Sequence, residues 1–506
     1  MIGTVRPAVR DAARNLHASR PRPCALGILM HRTLTTTSAT NPPSRFYGLS
    51  HEVPARARGH LRLTGPTCNG MQPSSLVAGP RAGSARVLYS TSAAASSTAG
   101  ASGNAAAKRS QLHMLVQSLS ARPITPVRIP DLLRIGQAAT AAANGQPVHD
   151  DPFGQHPLVA NAQFLQRELP VRLALRCKAF QSLPFIVGLN PHIHKVYTLY
   201  LDSLERLTSF RPVVNEDDEK EFTSMLTELV EAHVDVIQTI SQGFLESRDY
   251  MPAQEIGQFL DKLIGARIGV RVLAEHHLAL HSPQPDFIGI VDTKLSPVSV
   301  AQHVYDYVRE VAQFHFGAAP ALQIDGMVDT TLAYIPVHLD YILAELFKNS
   351  IRATVEHYEK TSGNGLGSLR LSAGLSDDDL PPIQLTVARG PDDVVMRIRD
   401  QGGGIPYEDL QRVFEYSYTS VQGKGYNRSA TGVGASTADP QSAMSEMMMQ
   451  SGIGGPIAGL GYGLGTARVY SRYFDGSLTM ISLYGHGCDV FLRLKNIDMV
   501  SSDIKI

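Results

Sequence analysis

Residues 338–358, HLDYILAELFKNSIRATVEHY, leave little freedom in how the C-terminal half of this chain folds. Ile342, Leu343, Leu346, Phe347, Ile351 and Val355 recur at steps of three and four, which predicts a helix with one buried apolar face. Tyr341, Glu345 and Asn349 stand four apart and Arg352 follows at plus three, so a polar stripe runs beside that face. Further on, Val394 to Arg399 reads as a β-branched strand running into the turn Asp400-Gln401-Gly402-Gly403-Gly404-Ile405-Pro406. A second glycine series, Gly459, Gly461, Gly463 and Gly465 in GLGYGLGTARVYSRY, precedes a helix carrying Ala467, Val469 and Tyr470.

The same three segments carry chemistry. A carboxylate can accept a proton from a hydroxyl, and a carboxamide oxygen can ligate a hard divalent cation without adding charge, so Glu345 and Asn349 on one ridge suit phosphoryl transfer. An aspartate at a strand end can accept a hydrogen bond from an adenine amino group, and the glycines after it let backbone approach the ring. Phosphates favour helix N-termini such as the one following Gly461 and Gly463. Singly these signals are weak, because glycine turns are usually structural and a helical Asn usually faces water. The chain has no GxxxxGK[ST] phosphate loop and no HRD or DFG kinase signature, so the two commonest phosphate-transfer architectures lack support.

Upstream, residues 111–298 read as helical. Leu165, Leu169 and Leu173 step by four, and Phe222, Met225, Leu226, Leu229, Val230, His233, Val236, Ile237 and Ile240 predict one buried stripe along 216–249. Glu216 to Glu219 complement a helix N-terminus. Pro184, Pro191, Pro212, Pro252 and Pro283 separate the candidate helices, and an antiparallel bundle of about four is the natural packing. Arg267 and Arg271 share a helical face, where spacing alone favours solvated charge over a carboxylate clamp. His276 and His277 point in different directions on a helix, which argues against paired metal ligation and for structural roles.

The N-terminal stretch differs in kind. Before Asp131 the only acidic residues are Asp11 and Glu52, while Arg6, Arg10 and Arg14 line one helical face among Ala, Ser and Thr, the composition of an organelle transit peptide, a mitochondrial address being favoured and an ordinary basic disordered tail the alternative. Residues 91–107, TSAAASSTAGASGNAAA, read as a flexible spacer with no large side chain to bury. The expected domains are therefore 1–110 (transit peptide and low-complexity segment), 111–298 (helical bundle), 299–497 (nucleotide-binding domain) and 498–506 (tail). Lys+Arg and Asp+Glu balance at 46 each, which removes the whole-molecule electrostatic case for nucleic acid. No apolar run reaches the roughly 18 residues of a membrane span, so no membrane insertion is expected. The four cysteines lack zinc-knuckle or redox-pair spacing and read as reduced structural thiols.

Together, ELFKNSIRAT at 345–354, DQGGGIP at 400–406 and GLGYGLGTARVY at 459–470 resemble the asparagine and glycine boxes of the GHKL ATPase superfamily. Within it the chain resembles the mitochondrial 2-oxoacid dehydrogenase kinases, also through QRELPVRLALRCKAFQSLPFIVGLNP, RIGVRVLAEHHLALH and PDFIGIV, over roughly 157–497. That resemblance implies an α+β fold of two domains: a four-helix bundle, then a GHKL-type α/β sandwich. It implies transfer of the ATP γ-phosphoryl group to a serine on the decarboxylase component of a 2-oxoacid dehydrogenase complex in the mitochondrial matrix. It also implies magnesium, a potassium ion, a lipoyl-bearing transacylase core as docking platform, and a homodimer. The absence of Trp, Tyr341 where pyruvate dehydrogenase kinases usually carry histidine, and the C-terminal RLKNIDMVSSDIKI are similar to the branched-chain kinase; the alternative substrate is the pyruvate complex.

By motif, Glu345 matches the family's general base, Asn349 its magnesium ligand and nucleotide contact, and Asp400 its adenine-binding aspartate. Gly402 and Gly404 resemble its pocket-shaping glycines, Thr419 and Ser420 fall where it contacts nucleotide, and Gly461, Gly463 and Leu464 match its phosphate lid. Val413, Glu415 and Tyr418 align with its potassium site, Glu415 replacing the familiar aspartate. Arg267 and Arg271 match arginines of its inhibitory 2-oxoacid pocket. Gly465 stands where the family usually has proline, which is expected to loosen the lid helix, and 421–456 looks longer than a simple lid. Rival readings are a histidine autokinase using His233, an ATP-gated scaffold, and an adaptor that binds no nucleotide.

Overall fold

The computed structural model describes residues 101–143, 156–361, 376–416, 461–497 and 504–506. The residues read as a transit peptide therefore lie outside the described residues, as do Tyr418, Thr419, Ser420 and the segment 421–456 read as a long lid. The first helix, α1 (Ala101–Ser120), begins inside the segment expected to be a spacer. Alanine is the strongest helix former, which overrides the low complexity of its first turns.

The helical region follows with α2 (Ile129–Ala143), α3 (Pro157–Gln181), α4 (Phe185–Gly188), α5 (Pro191–Ser209), α6 (Glu216–Ala232), α7 (Val236–Glu246) and α8 (Ala253–Ala279). Each proline named above falls at or between helix ends: Pro191 opens α5 behind an Asn190 cap that accepts from the His192 and Ile193 amides, and Pro252 precedes α8. Pro170, by contrast, sits inside α3. The long rods α3, α5, α6–α7 and α8 form the four-membered core, with α1 and α2 laid against α3. The stripe expected to run unbroken from 216 to 249 is two helices, interrupted at 233–235. The Arg267 guanidinium donates to the carbonyls of His233 (2.6 Å) and Val234 (3.3 Å), satisfying backbone that the break releases.

A small antiparallel sheet of β1 (Phe287–Ile288), β2 (Val291–Leu295) and β4 (Leu332–Tyr334) leads into the second region. Its main sheet has order β3-β5-β6-β8-β7, from β3 (Leu322–Gly326), β5 (Ile383–Arg389), β6 (Asp393–Arg399), β7 (Ser477–Leu483) and β8 (Gly487–Lys495). Only the β3–β5 pair is parallel. Along β6, Val394, Met396 and Ile398 point inward in strict alternation, placing one face of the sheet against helices. Those helices are α9 (Pro297–Phe316), α10 (Pro336–Thr361) and α12 (Gly463–Tyr473), while α11 (Tyr407–Leu410) is a single turn. All six apolar residues singled out on α10 are buried. No helix among the described residues is long and apolar enough to cross a membrane.

Candidate nucleotide site

The three segments meet. Asn349 and Ser350 of α10, Asp400, Gly402 and Gly404 of the turn after β6, and Leu464 of α12 line one cavity of about 80 Å³. Its floor is Met480, Cys488 and Val490 from β7 and β8. The turn can follow β6 this closely because Gly403 and Gly404 take positive φ (78° and 68°), and a side chain on Gly404 would strike the Leu483 carbonyl.

Asp400 is fixed before any ligand arrives. Its Oδ1 accepts from the amides of Gly402 (2.9 Å) and Cys488 (3.2 Å), and Oδ2 accepts from Ser350 Oγ at 3.4 Å. Burial pushes its carboxyl above the ordinary range, and those donors only partly oppose the shift. The group therefore gains from another donor, which an exocyclic amine supplies.

Glu345 is ion-paired with Lys348, which is buried, and its Oε2 occupies the space where a side chain on Gly463 would stand. The carboxylate thus lies against the first turn of α12, whose free amides favour phosphate oxygens. Asn349 is exposed, and no partner is assigned to its carboxamide among the described residues. A neutral oxygen donor beside a carboxylate fits magnesium, which takes oxygen ligands and keeps several waters. Tyr341, expected on the polar stripe, is buried instead, its ring 4.8 Å from Tyr470.

Of the potassium set, Val413 is buried, Glu415 is exposed and ion-paired with Arg412 at 3.3 Å, and Tyr418 lies outside the described residues. Gly461, one residue before the Tyr462 N-cap of α12, has φ 80°. Gly465 is buried within the first turn, where an added carbon would press on Tyr416 and the Phe414 carbonyl at 3.0–3.1 Å. Close packing there gives a reason for glycine that the expectation of a loosened helix did not include.

Arg267 and Arg271 are not the solvated charges that spacing alone favours. Arg267 is buried, Arg271 is ion-paired with Glu275, and Arg267 Nε and Arg271 Nη1 have no hydrogen-bond partner among the described residues. Burial lowers the pKa of Arg267, as does the like charge of Arg271. Burial, together with Arg271, takes His338 down to about 3 and, together with Arg267 and Arg271, His233 down to about 3, so both imidazoles are neutral. The Nδ1 of His338 is also unpartnered. His233 itself shares a 2.8 Å hydrogen bond with Ser203 and stacks edge-on against Tyr200. Lys348 and His338 escaped notice in the sequence, where nothing marks a lysine or a histidine as buried beside a site.

Two family models match the chain. Residues 126–292 match mitochondrial branched-chain alpha-ketoacid dehydrogenase kinase, and residues 334–497 match the histidine kinase-, DNA gyrase B- and HSP90-like ATPase. Among individual proteins, the chain is 34% identical over 354 residues to a mitochondrial [pyruvate dehydrogenase (acetyl-transferring)] kinase of Arabidopsis thaliana, covering 68% of this chain and 88% of that protein. It is 31% identical to the Drosophila melanogaster kinase of the same name (70% and 81% covered) and 31% identical to isozyme 4 of Mus musculus (67% and 77%).

Proposed function

Because this chain belongs to the mitochondrial 2-oxoacid dehydrogenase kinase family, we propose that it transfers the γ-phosphoryl group of ATP to a serine on the decarboxylase component of such a complex in the mitochondrial matrix, switching it off. The observation that carries this is the single cavity shared by Asn349, Asp400, Gly402, Gly404 and Leu464, with Glu345 held at the N-terminus of α12. Asp400 selects adenine, the α12 amides hold phosphate oxygens, and Asn349 supplies the oxygen that holds magnesium. Magnesium, when bound, offsets charge on the phosphates. Glu345 then receives the serine proton as oxygen attacks phosphorus, while Lys348 keeps the carboxylate oriented. Positioning and electrostatics supply most of the rate.

The relatives' names favour the pyruvate complex as substrate. The branched-chain complex is the second reading, favoured by Tyr341 in place of the expected histidine and by the lack of tryptophan. The helical region, 111–298, is proposed to dock on the lipoyl-bearing core and to hold an inhibitory 2-oxoacid at Arg267 and Arg271, with the chain working as a homodimer. The deciding experiment incubates both purified complexes side by side with labelled ATP. Acid-stable phosphate on the decarboxylase subunit of the pyruvate complex, at the higher rate, is expected; transfer to neither complex overturns the kinase reading, and acid-labile label on the chain itself would point to His233. Asn349→Ala is expected to abolish transfer while leaving the circular dichroism of the helical region unchanged.

A further inference from the structure

Away from the nucleotide site, Glu219, His277 and His281 bring one ligand atom each to within 4.8 Å of one another. His277 stands in the last turn of α8 and His281 just past its C-terminal end, four residues on, while Glu219 reaches them from the first turn of α6. Both Nε2 atoms converge on the same carboxylate oxygen: His281 Nε2 is 2.8 Å and His277 Nε2 3.1 Å from Glu219 Oε1. Ligands of a tetrahedral ion bound at about 2.0–2.1 Å stand about 3.3 Å apart, so the two nitrogen–oxygen separations need lengthen only by a few tenths of an ångström, and the two nitrogens lie within 4.8 Å of each other. Thr223 Oγ1, 3.0 Å from His277 Nε2 and 2.9 Å from Glu219 Oε1, marks a fourth corner for itself or a water.

The surroundings match what metal-bound imidazoles need. His281 Nδ1 donates to the His277 carbonyl at 3.0 Å, which turns its Nε2 toward the cluster. His277 Nδ1 lies 3.0 Å from the Asn161 carboxamide of α3, which in its flipped orientation accepts the Nδ1 proton and leaves the Nε2 lone pair free. Glu219 and His277 are almost wholly buried, while the His281 side chain is 26% exposed and gives the ion a way in. His276, the neighbour on α8, takes no part: it faces the Leu132 carbonyl at 3.1 Å.

We propose that Glu219, His277 and His281 form a site for a divalent transition ion, zinc by its two-nitrogen, one-oxygen donor set, that pins α6 to α8. Imidazole donors and four-fold geometry disfavour magnesium and calcium. The site is separate from the nucleotide chemistry, and its failure would leave the kinase reading untouched.

The test uses the full chain, stripped with a chelator, gel-filtered and titrated with zinc against a chromophoric competitor. Wild type is expected to take up one zinc that Glu219→Gln and His281→Asn bind at least 10- to 100-fold more weakly, with His315→Asn, an exposed histidine on α9, unchanged. Cobalt in place of zinc is expected to give the intense visible bands of four-coordinate cobalt in wild type and lose them in both ligand variants. Glu219→Gln preserves side-chain shape, so a folded variant is available if His281→Asn unfolds. Equal zinc binding by wild type and the ligand variants, or no stoichiometric zinc in wild type, overturns the proposal and leaves the cluster as a buried ion pair.

Discussion

At Glu345 the candidate chemistry reduces to one carboxylate with two constraints on it. Lys348 holds one oxygen, and the missing side chain of Gly463 makes room for the other. Glu345→Gln keeps the shape and removes the proton acceptor; a fall in kcat of about 10²- to 10⁴-fold is expected, with ATP affinity by equilibrium titration little changed. Gly463→Ala is expected to lower kcat through displacement of Glu345 while shifting thermal stability by under about 1 kcal/mol, since the position is at a helix end. Glu345 and Asn349 were legible in the sequence because helical spacing alone puts them on one ridge. The need for glycine at 463 was not, because the atom that excludes a side chain belongs to a helix more than a hundred residues earlier.

Among the elements, β6 and β8 show how the sheet under the site is held by more than its apolar face. Arg397 and Arg399 both reach Asp489 on the paired strand, at 3.2 and 2.9 Å. Partial burial works against the Asp489 carboxylate, but Arg399 and Arg397 outweigh it and hold its pKa below the ordinary value. A carboxyl with a depressed folded pKa stabilises the fold above its unfolded value of about 3.9, and that contribution is lost as pH falls through the folded value. Asp489→Asn is therefore expected to cost about 1 kcal/mol in denaturant unfolding at neutral pH, solvent screening included, with the difference from wild type vanishing in acid. Alternation made β6 readable, whereas the parallel β3–β5 pair depends on a crossover that no local pattern encodes. The interruption between α6 and α7 was hidden for a related reason: Val236 and Ile240 continue the apolar stripe on the far side, and the Arg267 side chain that satisfies the freed carbonyls comes from another helix.

Across the whole molecule, α12 packs against both the helical region and the helix that carries Glu345 and Asn349. It packs on α10 through Tyr470 against Tyr341 and His338, with ring centres 4.8 and 5.2 Å apart, and on α8, which carries Arg267 and Arg271. A 2-oxoacid seated on the unpartnered guanidinium nitrogens would thus lie on the helix that packs against α12, whose first turn is proposed to hold phosphate, and differential contact of that kind is what an inhibitor requires. The two arginines differ in what else they do. Arg267 also satisfies the His233 and Val234 carbonyls, so Arg267→Gln is expected to lower stability by about 1–3 kcal/mol together with inhibition. Arg271 makes its contact with Glu275 on its own helix, so Arg271→Gln isolates the ligand's share. Losing a charged hydrogen bond of about 1.5–3 kcal/mol raises the half-inhibitory concentration of a short 2-oxoacid about 10- to 100-fold, read against each variant's own uninhibited rate. An Arg271→Gln enzyme inhibited at wild-type concentrations would remove this cluster as the inhibitor site and return both arginines to a packing role.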